Sequence, residues 1–462
     1  MRTIIPHENR GLNIIIAGCG KVGITLIDQL SKEGHYITVI DKNSTKLQTL
    51  SNNYDIMTIC GNGASYSVQR EAGIESADLI IAVTDSDELN LLCCTVASRS
   101  GKCSAIARVR TPDYSIEANY LKNRLGLARI INPELEAANE VTRILSLPTA
   151  LDVTPFAHGQ VEMVKIKIPE NSFLDNMEIQ NISKNISTDF LISAVERNGE
   201  VFIPSGSFIL KSGDIMSVVA ARRDILSTLK KMNFKSTPIK NTLIIGGGKV
   251  AYYLAKQLLN IGFDVKIIEQ DRERCEELSI LLPKAIIING DGTDEDLLKE
   301  EGIQNCDSFV PLTGIDEENI MLTLYASKVS NAKAVTKINR INFTNVIAGL
   351  DLGSVVYPRF LTSEAIIAYV RAMKNSMNSG IETLSHLFNQ RVEAIEFKIK
   401  EAPAVTNIPL MDLKLKNNLL ICVINRNGRV FIPSGQDCFM DGDSVVLVTT
   451  HQGFNDINDI LK

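Results

Sequence analysis

The chain has 462 residues, of which 45% are hydrophobic, and 48 basic against 54 acidic side chains give a net charge of −6. This length predicts about three globular domains, and the composition is rich enough in apolar residues for several cores. No long basic run occurs in the sequence, so nucleic-acid binding is not expected. The longest apolar runs are far shorter than the roughly 18 residues that a membrane helix needs. We therefore expect no membrane insertion and a cytoplasmic location.

Nine cysteines and five histidines are scattered along the sequence. There is no CxxC pair, and the histidines lack metal-ligand spacing, so no metal site is predicted. Because most cysteines lie in apolar patterns or near turns, we interpret them as buried reduced thiols rather than as ligands or disulfides. The histidines are interpreted as structural or solvated.

Residues 13–30, "NIIIAGCGKVGITLIDQL", pass from an apolar run through three glycines into a helical pattern. Gly18, Gly20 and Gly23 form a GxGxxG sequence between a predicted strand and a predicted helix. In dinucleotide-binding folds the first glycine allows the tight turn and the second lets the backbone approach a pyrophosphate, while the third packs the helix on the sheet. A single match of this kind is also compatible with an ordinary strand-to-helix turn.

The second half of the chain repeats the first, which makes an accidental match improbable. Gly18 aligns with Gly246 and Asp41 with Glu269, and both pairs are separated by 228 positions. Three further pairs of segments match in the same order: 60–65 with 289–294, 71–90 with 300–319, and 196–206 with 425–435. The repeated fingerprint therefore favours dinucleotide binding in both halves.

Each half begins with short apolar runs alternating with helical patterns, which predicts an α/β fold with a Rossmann-like, doubly wound parallel sheet. Each half ends with two strand-like runs joined by Asn-Gly, at Asn198 and Gly199 and again at Asn427 and Gly428, which is a strong hairpin signal. We expect a small α+β domain after each parallel sheet. The predicted divisions are an N-terminal extension at 1–12, parallel-sheet domains at 13–150 and 240–375, and α+β domains at 151–235 and 380–462.

An acidic residue, Asp41 or Glu269, ends the second predicted strand of each half. A carboxylate at this position accepts hydrogen bonds from a ribose diol and repels a 2′-phosphate, so NAD or an adenine nucleotide is expected rather than NADP. The alternative is that Asp41 caps the next helix. Lys21 and Lys249 lie inside the two fingerprints, where they either neutralise phosphate charge or are exposed helix lysines.

Polar residues also follow the fourth and fifth predicted strands, at the carboxyl edge where open α/β sheets bind ligands. Thr84 and Asp85 follow the fourth strand, and Arg108 ends the fifth. Arg108 is either a phosphate ligand or a surface arginine. Asp87 and Asp316 are expected to begin helices, where acidic groups suit the helix dipole, and no residue is assigned a catalytic role.

The motifs "GCGKVG", "VIDK", "GNGA", "AVTDSDELN" and "ARVR", followed by a hairpin-bearing domain and then repeated, resemble the RCK (KTN) domains that regulate potassium conductance. The resemblance implies an RCK N-terminal nucleotide domain and an RCK C-terminal domain in each half. It also implies NAD(H), with ATP or ADP as further possibilities, as regulatory ligands. The implied partners are further copies of the chain, in a homo-oligomer, and a membrane potassium-transport subunit on whose inner face the chain assembles. The helical segments 115–126 and 133–145 then make oligomeric contacts, unless their apolar faces pack within the monomer.

The resemblance also places the ligand contacts. They are Gly18, Cys19, Gly20, Lys21, Val22, Gly23, Asp41, Asn62, Thr84, Asp85 and Arg108 in the first half, and Gly246, Gly247, Gly248, Lys249, Val250, Glu269, Asp291, Thr313 and Lys337 in the second. Three departures divide the halves: Asn62 replaces the family's usual aspartate, Ala251 stands at the position of Gly23, and Lys337 at that of Arg108. The two sites are therefore expected to differ in ligand.

Two functions remain open from the residues: a nucleotide sensor and an NAD-dependent oxidoreductase. A dehydrogenase needs a substrate domain that brings an acid or base to the nicotinamide, whereas the second half of this chain is another nucleotide domain. The second glycine loop, "GGGKVA", is not a GxxxxGK[ST] phosphate loop, which argues against an ATPase. Binding without turnover is the favoured interpretation.

Overall fold

The computed structural model describes residues 11–462 except 113, 115–116, 187–188, 235–237, 340–348, 351, 375–378, 389 and 401–403. The predicted N-terminal extension therefore lies outside the described residues, apart from its last two, and so does the start of segment 115–126. Within the described part of the chain, no helix has both the length and the apolar character that crossing a membrane requires.

The first parallel sheet has six strands in the order β3-β2-β1-β4-β5-β6, all parallel. This is the doubly wound order predicted from the repeated apolar runs. Its elements are β1 (Asn13–Ala17), α1 (Lys21–Lys32), β2 (Tyr36–Asp41), α2 (Ser44–Asn53), β3 (Met57–Cys60), α3 (Tyr66–Glu71), β4 (Leu79–Ala82), α4 (Asp87–Ser100), β5 (Ser104–Arg108), α5 (Ala118–Leu125), β6 (Arg129–Ile131) and α6 (Pro133–Ser146).

An antiparallel sheet follows, with the strand order β10-β9-β11-β8-β7. Its elements are β7 (Asp152–Phe156), β8 (Val161–Lys167), α7 (Ile179–Asn185), β9 (Phe190–Arg197), β10 (Glu200–Phe202), β11 (Ile215–Ala221) and α8 (Arg222–Lys231). Asn198 and Gly199 join β9 to β10 with φ of +51° and +82°. These two positive angles are those that an Asn-Gly hairpin turn requires, so the predicted hairpin is confirmed.

The second half repeats this plan with the orders β14-β13-β12-β15-β16-β17 and β18-β19-β22-β20-β21. The parallel-sheet elements are β12 (Asn241–Ile245), α9 (Lys249–Asn260), β13 (Asp264–Glu269), α10 (Arg272–Leu281), β14 (Ile286–Asn289), α11 (Glu295–Glu300), β15 (Ser308–Pro311), α12 (Asp316–Val329), β16 (Lys333–Lys337), β17 (Ser354–Val356) and α13 (Pro358–Lys374). The antiparallel elements are β18 (Ser379–Leu387), β19 (Val392–Ile399), β20 (Leu419–Arg426), β21 (Arg429–Phe431) and β22 (Ser444–Thr449).

The chain divides into two compact units, and two of the three boundaries between them fall inside helices. One unit contains the first parallel sheet, up to Glu136, together with Pro358–Ile367 from α13 of the second half. The other contains Ala137–Tyr357 and Ala368–Lys462, and therefore the second parallel sheet and both antiparallel sheets. Each unit thus includes helical residues that follow the parallel sheet of the other half.

The two antiparallel sheets share one apolar core. Phe156, Met163 and Val219 of the first sheet belong to the same buried cluster as Val446 of the second sheet and Phe388 in its β18–β19 turn. Such a cluster buries the inner faces of both sheets, which is the main favourable term in folding.

Glu162 on β8 and Glu393 on β19 occupy equivalent positions, and both are buried. Glu393 pairs with Arg371 at 3.2 Å, and both side chains are almost fully buried. Burial alone would raise the pKa of Glu393, but His386 and Arg371 outweigh that effect and hold the pKa below its ordinary value. Glu162 instead pairs at 3.4 Å with Arg222, whose side chain is 71% exposed, and burial raises the pKa of Glu162.

These two pairs form a matched test of buried against exposed ion pairing. Arg371→Ala breaks a buried ion pair and leaves the Glu393 carboxylate to His386, so we expect a loss of about 3–5 kcal/mol in the free energy of unfolding. Arg222→Ala removes a largely exposed partner and should cost about 0–1 kcal/mol. Urea unfolding of the full chain, followed by circular dichroism, measures both, and equal losses would contradict the assignment of Arg371 to a buried pair.

Candidate functional site

The three glycines of the first loop have different structural roles. Gly18 has a φ of +107°, and a Cβ there would lie 2.9 Å from the backbone nitrogen of Thr84. A Cβ on Gly23 would lie 2.1 Å from the carbonyl oxygen of Gly18, whereas one on Gly20 would meet no atom within 4 Å. The loop therefore packs tightly at Gly18 and Gly23 and is open at Gly20, as an approach of a ligand to the backbone requires.

The second loop has the same plan with one substitution. Gly246 has a φ of +93° and its Cβ would lie 3.2 Å from the backbone of Leu312, while a Cβ on Gly248 would meet nothing within 4 Å. Ala251 is fully buried in α9, so the fold accommodates its methyl group at the third glycine position. Gly247 is packed closely, because its Cβ would approach the Leu278 side chain to 2.5 Å.

Helices α1 and α9 begin at Lys21 and Lys249, directly after the open glycines. The first N–H groups of any helix have no intrahelical acceptor and are available to an anion. Val22 and Val250 are buried, so only their backbone groups are placed for a ligand. The Lys21 and Lys249 side chains are both exposed, which both interpretations of these lysines allow.

The carboxylate at the end of the second strand is bonded to the glycine loop in both halves. Asp41 accepts from the backbone N–H of Cys19 and of Asn43, both at 2.8 Å. Glu269 accepts from Gly247 N–H at 2.5 Å and from Asp271 N–H at 2.8 Å. The alternative that Asp41 caps the next helix is wrong, because Asn43 caps α2 through a hydrogen bond from Lys46 N–H at 3.0 Å.

These contacts keep Asp41 ionised and Cys19 protonated. Burial would raise the pKa of Asp41, but hydrogen bonds from Cys19 and Asn43 outweigh it and lower that pKa. Burial and the adjacent Asp41 carboxylate raise the pKa of the Cys19 thiol to about 12. All nine cysteines are free. The expectation of buried thiols holds for six cysteines, but Cys306 and Cys438 are half-buried and Cys60 is exposed at the end of β3.

Asn90 and Asn319 were missed as site residues in the sequence analysis, although both end the matched segments 71–90 and 300–319. Both are fully buried. Asn90 accepts from Thr84 N–H at 2.8 Å and donates to the Arg108 carbonyl at 2.9 Å. Asn319 accepts from Thr313 N–H at 2.9 Å and donates to the Lys337 carbonyl at 3.1 Å. Each asparagine therefore ties the loop after the fourth strand to the end of the fifth.

Arg108 and Lys337 end equivalent strands of the two parallel sheets, but their charged groups make different contacts. The Arg108 guanidinium donates to the Thr84 carbonyl at 2.6 Å, and its Nε is buried without a hydrogen-bond partner among the described residues. Burial, followed by repulsion from Arg110, lowers the pKa of Arg108. The Lys337 ammonium donates to the Leu312 carbonyl at 2.8 Å. Arg108 is thus a half-buried arginine in the loop network and not a solvated surface residue.

The remaining predicted residues lie in turns at the same edges. Asn62 is exposed and accepts from Ala64 N–H at 3.1 Å, and Asp291 accepts from Thr293 N–H at 2.9 Å. Hydrogen bonds from the Thr293 backbone and hydroxyl lower the pKa of Asp291. The Asp85 carbonyl accepts from Arg110 at 2.7 Å, a second cation that the sequence analysis missed.

In the second half these elements enclose a cleft of about 410 Å³. Its lining includes residues of the glycine loop, the end of β13 and the turns after β14 and β15: Gly246, Gly248, Glu269, Asp291, Thr313 and Glu318. This is the crevice at the carboxyl ends of the strands where doubly wound folds bind ligands. Glu318 was not predicted, and Lys337 is not among the lining residues.

Comparisons with known proteins place both halves in one family. The TrkA-N domain model matches residues 14–133 and 242–358, and the TrkA-C domain model matches 163–233 and 394–462. The chain is 32% identical to the Trk system potassium uptake protein TrkA of Haemophilus influenzae over 440 residues, 94% of this chain and 95% of that protein. It is 30% identical to TrkA homolog 1 of Methanosarcina mazei over 459 residues, 98% of this chain and 100% of that protein.

Solved structures of low identity share the fold. A GsuK channel bound to NAD superposes with a TM-score of 0.62 at 17% identity, covering 96% of this chain and 78% of the channel chain. The GsuK RCK domain superposes with a TM-score of 0.62 at 17% identity, covering 96% of this chain and 93% of that domain. The predicted RCK resemblance and fold class are confirmed. This chain belongs to the TrkA family and contains its TrkA-N and TrkA-C domains twice in tandem.

Proposed function

We propose that the chain is the regulatory subunit of a potassium-uptake system, which binds NAD(H) or another adenine nucleotide and gates a membrane-embedded, TrkH/TrkG-like potassium-translocating partner. The relatives with about 30% identity over nearly the whole chain are named as Trk potassium uptake proteins, which supports this role. The observation on which the proposal rests most is the glycine loop fixed to a ribose-type carboxylate, built twice. The predicted cytoplasmic, peripheral location and homo-oligomeric state belong to the same proposal.

A ligand would add to the contacts of one side chain of the first crevice and replace a contact of another. Asp41 uses its two oxygens on backbone N–H groups, and a carboxylate has about four acceptor sites, so a ribose diol can bind without breaking them. Arg108 donates to Thr84, and a phosphate would offer that guanidinium a stronger, charged acceptor. Ligand then biases the conformation of the loops after β1, β4 and β5. It can shift that equilibrium only by its differential affinity for the two states.

We propose binding without turnover. The residues that surround the glycine loops are engaged in fixing backbone: Asp41 and Glu269 hold the loops, and Asn90 and Asn319 hold the strand ends. An oxidoreductase would oxidise NADH steadily when a carbonyl substrate is supplied. A sensor would instead change potassium flux through its partner at constant nucleotide concentration.

Potassium flux tests the gating proposal directly. With the membrane partner in potassium-loaded vesicles and the full chain added outside, we expect NADH and ATP to change the rate of potassium release relative to the nucleotide-free protein. Vesicles that contain the partner without the chain are the control. Flux that is insensitive to every nucleotide, in the presence of steady NADH oxidation, would reject the sensor in favour of the oxidoreductase.

The Asp41 carboxylate is expected to contribute to NADH binding. Asp41→Ala should weaken that binding by about 1.5–3 kcal/mol, the value of a hydrogen bond to a charged group. The same change removes a charge that repels a 2′-phosphate, so the preference for NADH over NADPH should also fall. Calorimetry with both dinucleotides separates the two effects, because disruption of the loop alone would weaken both ligands equally.

The first crevice is expected to bind NADH more tightly than the second. It has the complete glycine fingerprint, and its Arg108 can hold a phosphate through two hydrogen bonds, whereas Lys337 provides a point charge. Because a Cβ at Gly20 or Gly248 meets no atom within 4 Å, Gly20→Asp and Gly248→Asp should fold and place a carboxylate in the phosphate path. Calorimetry should show that Gly20→Asp removes the tighter NADH site. If only Gly248→Asp loses NADH binding, the second crevice is the tighter site.

A further inference from the structure

The second crevice is lined by three carboxylates. Glu269, Asp291 and Glu318 all border the cleft of about 410 Å³. Glu269 and Asp291 accept hydrogen bonds from backbone N–H groups. None of the three forms an ion pair with a lysine or arginine of the described chain. Because acceptance of these hydrogen bonds lowers the pKa of Asp291, that carboxylate is charged at neutral pH.

The equivalent positions of the first half are less acidic. Alignment of the repeats places Asp41 opposite Glu269, but Asn62 opposite Asp291 and Leu89 opposite Glu318. Asp85, by contrast, stands opposite Gly314. The second crevice therefore has carboxylates where the first half has the amide of Asn62 and the apolar side chain of Leu89. It has a glycine where the first half has Asp85.

The first half has more positive charge than the second at the end of the fifth strand. Arg108 and Arg110 lie at the end of β5 and just beyond it, and both donate to the loop after β4. Their equivalents are Lys337, whose ammonium donates to a backbone carbonyl, and the uncharged Asn339. A further nearby cation of the second half, Arg274, donates to the Gly247 carbonyl and pairs with Glu277 at 2.6 Å. At these aligned positions the first half has two carboxylates, Asp41 and Asp85, and two guanidinium groups, one of which, that of Arg110, also lies 3.9 Å from Asp87. The second half has three carboxylates that line the cleft, and its lysine at the position of Arg108 does not line it.

The different charges of the two crevices favour ligands of different charge. Carboxylates accept hydrogen bonds from ribose hydroxyls and base amino groups, but each phosphate charge placed near them is repelled, more strongly in a cleft than in water. The first turn of α9 offers N–H groups to one phosphate. Lys249, the first residue of α9, is matched by Lys21 in the first half, so it does not offset the additional carboxylates of the second crevice. Placing unpaired like charges against an unwanted ligand is a common route to specificity.

We propose that the second crevice selects a nucleoside or a nucleoside monophosphate over a dinucleotide or a triphosphate, and that Asp291 and Glu318 set this selection. The inference rests on the proposed role of both crevices as nucleotide sites. It assigns the two halves to ligands of different charge, so that one chain responds to two chemically distinct signals.

Calorimetry on the full chain with Gly20→Asp, which blocks the first crevice, tests the proposal. The probes are adenosine, AMP, ATP and NADH, each titrated with EDTA and again with excess Mg²⁺. We expect adenosine or AMP to bind at least about tenfold more tightly than ATP and NADH. The protein that carries both Gly20→Asp and Gly248→Asp is the control and should bind none of them.

Charge-only variants identify the residues responsible. In the Gly20→Asp chain, Asp291→Asn with Glu318→Gln keeps the side-chain shapes and should reduce the tenfold preference to within about twofold. In the Gly248→Asp chain, Asn62→Asp should weaken ATP and NADH at the first crevice more than adenosine. Asn62 is exposed, so this reciprocal change should leave folding intact.

The inference is overturned if ATP or NADH binds the second crevice as tightly as adenosine and AMP, with or without Mg²⁺. It is also overturned if adenosine and AMP fail to bind there, or if the neutral variants keep the original preference. In those cases the proposed function would still be supported if the unsubstituted chain binds NADH and Gly20→Asp abolishes that binding. If no probe binds either crevice of the unsubstituted chain, the proposed function itself fails.

Discussion

The hydrogen bond between a carboxylate at the end of the second strand and the glycine loop after the first is the contact on which each candidate site depends. Asp41 fixes Cys19 N–H, and Glu269 fixes Gly247 N–H. The glycines make the loop possible, since only glycine adopts the φ of Gly18 and Gly246 without strain. The carboxylate then selects one loop conformation out of the many that glycine allows, at the point where a ribose and a pyrophosphate would meet.

The same duplicated plan is used with different chemistry in the antiparallel domains. Glu396 on β19 accepts from the backbone N–H of Ala157, at 3.0 and 3.1 Å, in the turn between β7 and β8. At the equivalent position of β8, Lys165 places its ammonium 4.8 Å from the ring centre of Phe388, in the turn between β18 and β19. Each sheet thus contacts the turn of the other through one charged residue, by a hydrogen bond in one direction and a cation–π contact in the other.

Much of this arrangement could be predicted from the sequence, because a motif that occurs twice in the same order is unlikely to be accidental. The two parallel sheets, the glycine turns, the acidic strand ends and the Asn-Gly hairpins each occur twice in the same order. Patterns of this kind depend on local backbone requirements, such as the positive φ of Asn198 and Gly199. A requirement of this kind restricts the residue type at one or two positions, so the sequence indicates it directly.

What could not be predicted depends on contacts between distant residues. Asn90 stands out in the sequence only as the last residue of a repeated segment, although its amide joins the ends of two strands. Arg108 was left open between a ligand and a surface residue, because its burial and its bond to Thr84 follow from sheet order and not from its neighbours in the chain. The Glu318 side chain likewise enters the site only once α12 is packed beside the second loop.

The helix that begins at the second glycine loop is hydrogen-bonded to a helix of the first half. In the larger unit, α9 begins at the second glycine loop, and its Gln257 is hydrogen-bonded to both Thr142 at 2.7 Å and Asn139 at 2.8 Å on α6. Thus α6, which follows the first parallel sheet, packs within the monomer on at least this face, one of the two options that the sequence left open. Gln257 therefore joins α9, the helix that begins at the second glycine loop, to α6, the helix that follows the first parallel sheet.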